Sequence, residues 1–215
     1  MRLPDKFIIV RPGGRLVSRR LYTRTYTVAR DFYEATGLLE GEKVALRLIE
    51  KEGLWILHSW LTDPSYTGNY EAFPQITQGE LEKQYRDLYN EQWWWIEVKG
   101  GSPIGFLSNR LLDSHQEIRF LLAPDERGKG YATEAVRIIV DHLFSYFDIA
   151  RIQAETHPGN VATQRVLEKN GFILEGVLRK KVFSRGSWRD YVLYSLIRDE
   201  WTPPLRARQK KGVSA

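Results

Sequence analysis

Arg127-Gly128-Lys129-Gly130-Tyr131-Ala132 joins an apolar run at 118–122 to a long stretch of helical periodicity that opens near Ala132. Glycines at alternate positions let the backbone approach a ligand closely and turn several N–H groups the same way. They lead into a helix N-terminus, where aligned peptide dipoles amount to roughly half a positive charge. The stretch reads as a cradle for a diphosphate, although glycine-rich strand-to-helix turns also serve as plain connections. A P-loop needs GxxxxGK[ST], and no such string occurs. A dinucleotide fingerprint starting at Gly128 would carry Thr133 where its third glycine belongs, and the flanking segments read as hairpins rather than βαβ units. Glu155, near the spacing of a ribose-binding acid, keeps that weaker alternative open.

Upstream of the cradle, the body begins at Gly41 with an alternating strand at 43–49 and a helix at 50–61 carrying Leu54, Leu57 and Leu61 on one face. A Tyr- and Pro-rich loop at 62–77 and a helix at 78–90 follow. The strand at 92–99 contains Trp93-Trp94-Trp95; consecutive side chains point to opposite faces of a sheet, so at least one indole should cover something besides the main core. Gly100-Gly101-Ser102-Pro103 turns into 104–112, and Asp113-Ser114-His115 turns into 116–122. Downstream, Ala132, Ala135, Val136, Ile139, Val140 and Leu143 mark one buried face of a helix at 130–145. A strand at 149–156 leads to Asn160, suited to N-cap a helix that ends at Lys169 before the C′ glycine Gly171. Strands at 172–184 and 188–198 pair around Arg185-Gly186-Ser187. The order β-α-α-β-β-β-α-β-α-β-β is α/β with an antiparallel meander first, and it is not doubly wound.

Residues 1–42 read differently, as an extension of unknown role with a short strand at 7–10, a turn at Pro12-Gly13-Gly14, a second strand at 16–28 and a helical turn at 31–38 ended by Gly37. The net charge of +5 is unevenly spread: residues 1–30 carry +7 and residues 205–215 carry +4, which leaves −6 on the body between them. An acidic body suits cationic amines, and basic ends suit an anion such as ribosomal RNA, although solvated tails carry the same composition. The 215 residues suffice for a full core. No stretch approaches the roughly 18 apolar residues of a membrane span, and the N-terminus lacks an apolar signal core, so a soluble cytoplasmic protein is expected. The absence of cysteine removes disulfides, thiolate metal sites and a cysteine-bound acyl group. His58, His115, His142 and His157 show no metal-ligand spacing, and no metal is expected.

The glycine loop, Gln116-Glu117-Ile118 before it, and Asn160-Val161-Ala162-Thr163 with Leu167-Glu168-Lys169-Asn170-Gly171-Phe172 after it stand in one register. Together they resemble the GNAT acetyltransferases, and within them the branch of the ribosomal-protein N-terminal acetyltransferases RimJ and RimL. The resemblance covers about residues 43–200, with 201–215 left as a basic tail. It implies the GNAT acyl-CoA N-acyltransferase fold: a mixed, mostly antiparallel sheet with helices on both faces, splayed at the cofactor strand. It implies acetyl-CoA as co-substrate, its pyrophosphate held by the backbone of Arg127, Gly128, Lys129, Gly130, Tyr131, Ala132 and Thr133. Asn160 would bond the pantetheine amides, and N–H groups near Leu121 and Leu122 would face the thioester oxygen. Thr163 stands where the branch usually has serine and keeps a hydroxyl to protonate the leaving thiolate. The family's glycine after Glu-Ile is Arg119 here, a long cation beside the cofactor strand.

An amine attacks a thioester only when neutral. At pH 7 this costs about 4.6 kcal/mol for a lysine-like amine and about 1.1 kcal/mol for an α-amine. A weak base or a water chain therefore suffices for an N-terminal acceptor, and Glu117 is the candidate, with Glu155 second and a carboxylate that merely pairs with Arg119 as the plainer reading. The expected function is direct acetylation of a primary amine, foremost a protein N-terminus. Alternatives are a polyamine or aminoglycoside acceptor, or a module that senses acetyl-CoA while its basic ends contact RNA or the ribosome. A homodimer is compatible with either.

Overall fold

The computed structural model describes residues 9–10, 16–17, 38–68, 70, 76–88 and 90–203. Two compact units divide at Gly37 and Leu38. In the first, β1 (Ile9–Val10) and β2 (Leu16–Val17) pair antiparallel, Ile9 opposite Val17. The expected turn at 12–14, the remainder of the strand at 16–28, the helical turn before Leu38 and the tail beyond residue 203 lie outside the described residues.

The second unit carries β3 (Leu38–Glu40), β4 (Val44–Leu48), α1 (Leu54–Leu61), α2 (Pro64–Thr67), α3 (Gln78–Arg86), β5 (Glu91–Val98), β6 (Pro103–Leu112), β7 (His115–Leu122), α4 (Tyr131–Tyr146), β8 (Arg151–Thr156), α5 (Val161–Lys169), β9 (Ile173–Ser184) and β10 (Ser187–Ile197). Eight strands form one sheet in the order β3-β4-β5-β6-β7-β8-β10-β9. Every pairing in it is antiparallel except β7 with β8. A run of parallel βαβ units is therefore absent from this sheet, which removes the dinucleotide-fold alternative.

Four local expectations change. Leu38–Glu40, read as the end of the extension, is an edge strand on β4, with Leu39 opposite Leu46. Residues 51–53 form a 3-10 turn before α1, and α3 stops at Arg86. The loop at 62–77 contains α2, started by Asp63, whose carboxylate accepts from Ser65 N at 2.8 Å, and by Pro64 at its first position. Short helices of this kind have no periodicity for a sequence to display.

The three tryptophans are all buried because helices cover both faces of the sheet. Trp93 and Trp95 pack with Ile49, Leu54, Leu57, Trp60 and Leu81 beneath α1 and α3, with Trp60 rather than Leu61 completing the helix face. Trp94 points to the opposite face, edge-on to His142 of α4 at 6.4 Å. Burial of an indole is worth on the order of 4 kcal/mol, provided that its N–H finds a partner. Trp94 Nε1 donates to Asn109 Oδ1 at 2.7 Å, and Asn109 Nδ2 donates to Gln116 and Gln92, so the polar atoms inside this layer are satisfied together. On the α4 face Ala135, Val136, Ile139, Val140 and Leu143 are buried as the helical spacing predicts. Asn160 caps α5 through Thr163 N, and Gly171 closes it at φ 83°.

His142 is enclosed by Trp94, Tyr146 and Phe147, and burial pushes its pKa down to about 3. The imidazole is neutral in the fold and would take a proton in the unfolded chain below pH 6.5. Its contribution is complete above that value and is lost as pH falls towards about 3. At pH 4.5 this amounts to roughly 2–3 kcal/mol of acid destabilisation. In thermal melts between pH 7.5 and 4.5, His142→Phe should show a smaller fall in Tm than the parent; parallel falls would remove His142 as an acid-sensitive site.

Candidate active site

Parallel pairing between β7 and β8 covers three residues, His115 with Arg151, Gln116 with Ile152 and Glu117 with Gln153. Beyond Glu117 the strands part, so the β8-facing backbone of Ile118 to Leu122 has no strand partner among the described residues, while β6 stays in register with β7 as far as Leu122. Gly105 makes that register possible: a Cβ built there would meet Leu121 O at 2.4 Å and Leu122 Cδ2 at 2.6 Å.

The wedge opens towards the glycine loop. A 3-10 turn at Pro124–Glu126 ends β7, and Gly128 and Gly130 then adopt φ values of 79° and 86°. Gly130 is the N-cap of α4 and offers no side chain to the first turn. A serine or aspartate there would occupy those amides; glycine leaves them available. Among the described residues, no N–H from Gly128 to Thr133 has an acceptor, and the first bonded amide is Glu134 N, to Gly130 O at 3.2 Å. These amides lie at the positive end of a 16-residue helix, in keeping with an anion cradle. Two lysines stand near the loop. Lys129 pairs with Glu126 at 3.0 Å, whereas Lys43, just before β4, sets its Nζ 3.8 Å from where a Gly130 Cβ would sit. Lys43 is a cation that no motif in the sequence marks.

Arg127 turns its guanidinium away from the helix and onto backbone carbonyls. It donates to Leu122 O at 3.1 Å, Ser65 O at 3.2 Å and Tyr66 O at 2.6 Å, tying the glycine loop to α2. The same segment is held from the other side, where Arg185 donates to Gly68 O and Tyr191 Oη to Tyr70 O, both at 3.2 Å. The Tyr70 ring stacks on His157 at 5.2 Å, and His157 Nδ1 accepts from Gly159 N at 2.9 Å. Ser65 and Tyr66 are thus tied to the glycine loop, Gly68 to Arg185, and Tyr70 to His157 and Tyr191. The segment's aromatic content is legible in the sequence, but its ties to Arg127, His157, Arg185 and Tyr191 come from distant segments.

Glu117 is buried at the point where β7 and β8 separate. Burial alone would raise its pKa. The hydrogen bond from Arg110 and the charges of Arg119 and Arg110 overcome this and hold the carboxyl below the ordinary range. Arg110 Nη2 donates at 2.7 Å and Arg119 Nη2 at 3.3 Å, to different carboxylate oxygens. Arg110 is a partner that the sequence reading does not single out; its position directly opposite Glu117 on β6 follows only from strand register. Glu155, the second carboxylate, pairs with Lys181 at 3.1 Å. Thr163 sits half-buried in the first turn of α5, its N–H taken by Asn160 Oδ1 at 3.2 Å, which leaves the Asn160 Nδ2 donors for other partners. At the end of β8 the buried Thr156 hydroxyl has no partner among the described residues. No cluster of three metal-ligating side chains occurs among those residues, nor any helix long and apolar enough to cross a membrane.

Residues 43–173 match the family model described as an acetyltransferase (GNAT) domain. A probable N-acetyltransferase, YjcK of Bacillus subtilis (strain 168), is 41% identical over 80 residues, 37% of this chain and 44% of its own length; the match thus spans less than half of that relative. A solved structure of RimL, the ribosomal L7/L12 alpha-N-protein acetyltransferase in complex with coenzyme A, superposes with a TM-score of 0.66 at 20% identity, over 76% of this chain and 99% of that one. Spermidine N-acetyltransferase from Vibrio cholerae, in complex with CoA and spermine, superposes with a TM-score of 0.66 at 21% identity, over 74% and 98%. At these identities the superpositions establish a shared fold.

Two variants test this geometry. Gly105→Ala should push on Leu121 and Leu122 and cost about 1–3 kcal/mol of stability, read by chemical denaturation; an unchanged midpoint would show that β6 can move aside. Arg127→Ala should speed amide exchange at Tyr66 and Gly68, whose N–H groups donate to Asp63 O and Pro64 O. Unchanged exchange would mean that the other ties hold that segment alone.

Proposed function

The chain belongs to the GNAT acetyltransferase family, whose members use acetyl-CoA, and from that premise we propose that it acetylates the α-amine of a protein N-terminus by direct transfer. The observation that carries the acceptor class is the pairing of Glu117 with two guanidiniums. A carboxylate held low is a weak proton acceptor. It is matched to an α-amine, of which roughly one in seven molecules is already neutral at pH 7, and poorly matched to a lysine-like or polyamine nitrogen.

Acetyl-CoA supplies the thioester carbonyl. In the transfer the amine loses a proton, its nitrogen bonds the acetyl carbon as the C–S bond breaks, and the sulfur takes up a proton. Glu117 takes the first proton, directly or through one water, and the Thr163 hydroxyl gives the second. The unpaired backbone N–H groups of Gly128 to Thr133 hold the diphosphate, supported by Lys43, and Asn160 offers Nδ2 to the pantetheine amides. The main-chain N–H of Leu122 faces the charge that develops on the carbonyl oxygen, whereas that of Leu121 is turned to β6, on the same side as Ala123 N, which donates to Ile104 O. The RimL likeness agrees with this reading, and the equal likeness to spermidine N-acetyltransferase agrees with the competing one, a small cationic amine such as a polyamine. The charge of −6 on residues 31–204 favours that competing reading.

Thiol release from acetyl-CoA, followed continuously against N-terminal peptides, polyamines and aminoglycosides, separates the two. Turnover with peptides is expected, and turnover confined to small amines would overturn the N-terminal reading. In calorimetry Gly130→Glu should abolish acetyl-CoA binding, because its carboxylate would meet the diphosphate; normal affinity would remove the cradle from this account. Thr163→Ala should lower turnover about tenfold or more with acetyl-CoA affinity kept, and undiminished turnover would transfer the acid role to another group.

A further inference from the structure

We infer that Arg119 determines acceptor specificity, selecting N-terminal segments that carry a carboxylate side chain within their first few residues; this rests on the N-terminal reading above. Arg119 lies two residues beyond Glu117 on the same face of β7, so it is the first residue on that face past the last pairing with β8. Its partner on β6 is Ser108, and its other flank is the open wedge. The side chain is 66% exposed, and its one hydrogen bond among the described residues is the 3.3 Å contact to Glu117 Oε1. A guanidinium has five N–H donors in a planar fork suited to a carboxylate, so most of its donors remain to be used.

The carboxylates around it are differently placed. On this face of β5, β7 and β8, Glu91 accepts from Trp93 Nε1 at 2.8 Å, Glu117 holds Arg110 and Arg119, and Glu155 holds Lys181. Each already has a partner. A second ammonium on an incoming polyamine would have to displace Arg110, Arg119 or Lys181 to reach Glu117 or Glu155, and only Glu91, whose partner is the neutral Trp93 indole, carries no cation to displace. An acidic side chain on a peptide would meet Arg119 without breaking any contact shorter than 3.3 Å. Successive same-face positions on a strand are about 6.6 Å apart, comparable to the reach from an α-amine to the side chain of residue 2 or 3 in an extended peptide. An amine near Glu117 would therefore bring such a side chain to Arg119.

The test compares kcat/KM for three otherwise identical peptides, with Asp, Ala or Lys at residues 2 and 3, using the full chain and saturating acetyl-CoA. The parent should favour the Asp peptide over the Lys peptide by about tenfold or more, as for a charge pair at a partly desolvated site. That ratio should collapse in Arg119→Gln, chiefly through KM, and invert in Arg119→Glu. Taking it within each variant cancels any loss of folded protein. A ratio near one in the parent, or one unchanged in Arg119→Gln, would overturn the assignment of Arg119 while leaving N-terminal acetylation standing. Turnover of spermidine with all peptides silent would overturn both.

Discussion

The separation of β7 from β8 after three paired residues is the constraint from which the rest of the site follows. A sheet interior normally leaves no backbone group unpaired. Here the antiparallel strands on either side remain in register, β6 with β7 and β10 with β8, so the gap is an opening between two well-formed half-sheets rather than a frayed edge. It places a strip of main chain, a buried carboxylate and the start of α5 around one wedge. The single parallel pairing is the one made by the β7–α4–β8 crossover, which delivers β8 beside β7.

Glu117 shows how a carboxylate inside such a wedge is kept charged. Desolvation works against the ion and two guanidiniums work for it, and the guanidiniums prevail. The pair differs in exposure, with Arg110 at 39% and Arg119 at 66%, and the tighter contact belongs to the more buried partner. Arg110 therefore fixes the carboxylate, and Arg119 is the partner that can exchange it for something else.

Much of this was legible in the sequence because it is local. The glycine pair, the helical stripe of α4, the Asn160 cap and the Gly171 stop are each decided within one turn of chain, and each forms as its residues dictate. The splay was legible only through the family likeness. What the sequence did not show depends on register and on distant partners. Arg110 meets Glu117 because β6 and β7 align Arg110 opposite it, and Gly105 is needed because Leu121 O lies where its Cβ would be. Arg127 stands inside the glycine motif and is naturally read as a ligand contact, yet its side chain serves α2. Backbone and side chain of one residue answer to different neighbours, and a motif speaks only for the first.

In the proposed function the diphosphate is met by main-chain N–H groups at the start of α4, and this bears on how the loop tolerates change. Every residue except proline supplies the same donor, so side-chain identity at Lys129, Tyr131 or Ala132 is only loosely coupled to the anion-facing surface. The information is concentrated in two torsion angles, at Gly128 and Gly130, where φ is 79° and 86°. In a population of variants the side chain of exposed Lys129 would vary more readily than the two glycines, at which φ is positive. A recognition surface of this kind persists through sequence divergence that would erase one made of side chains.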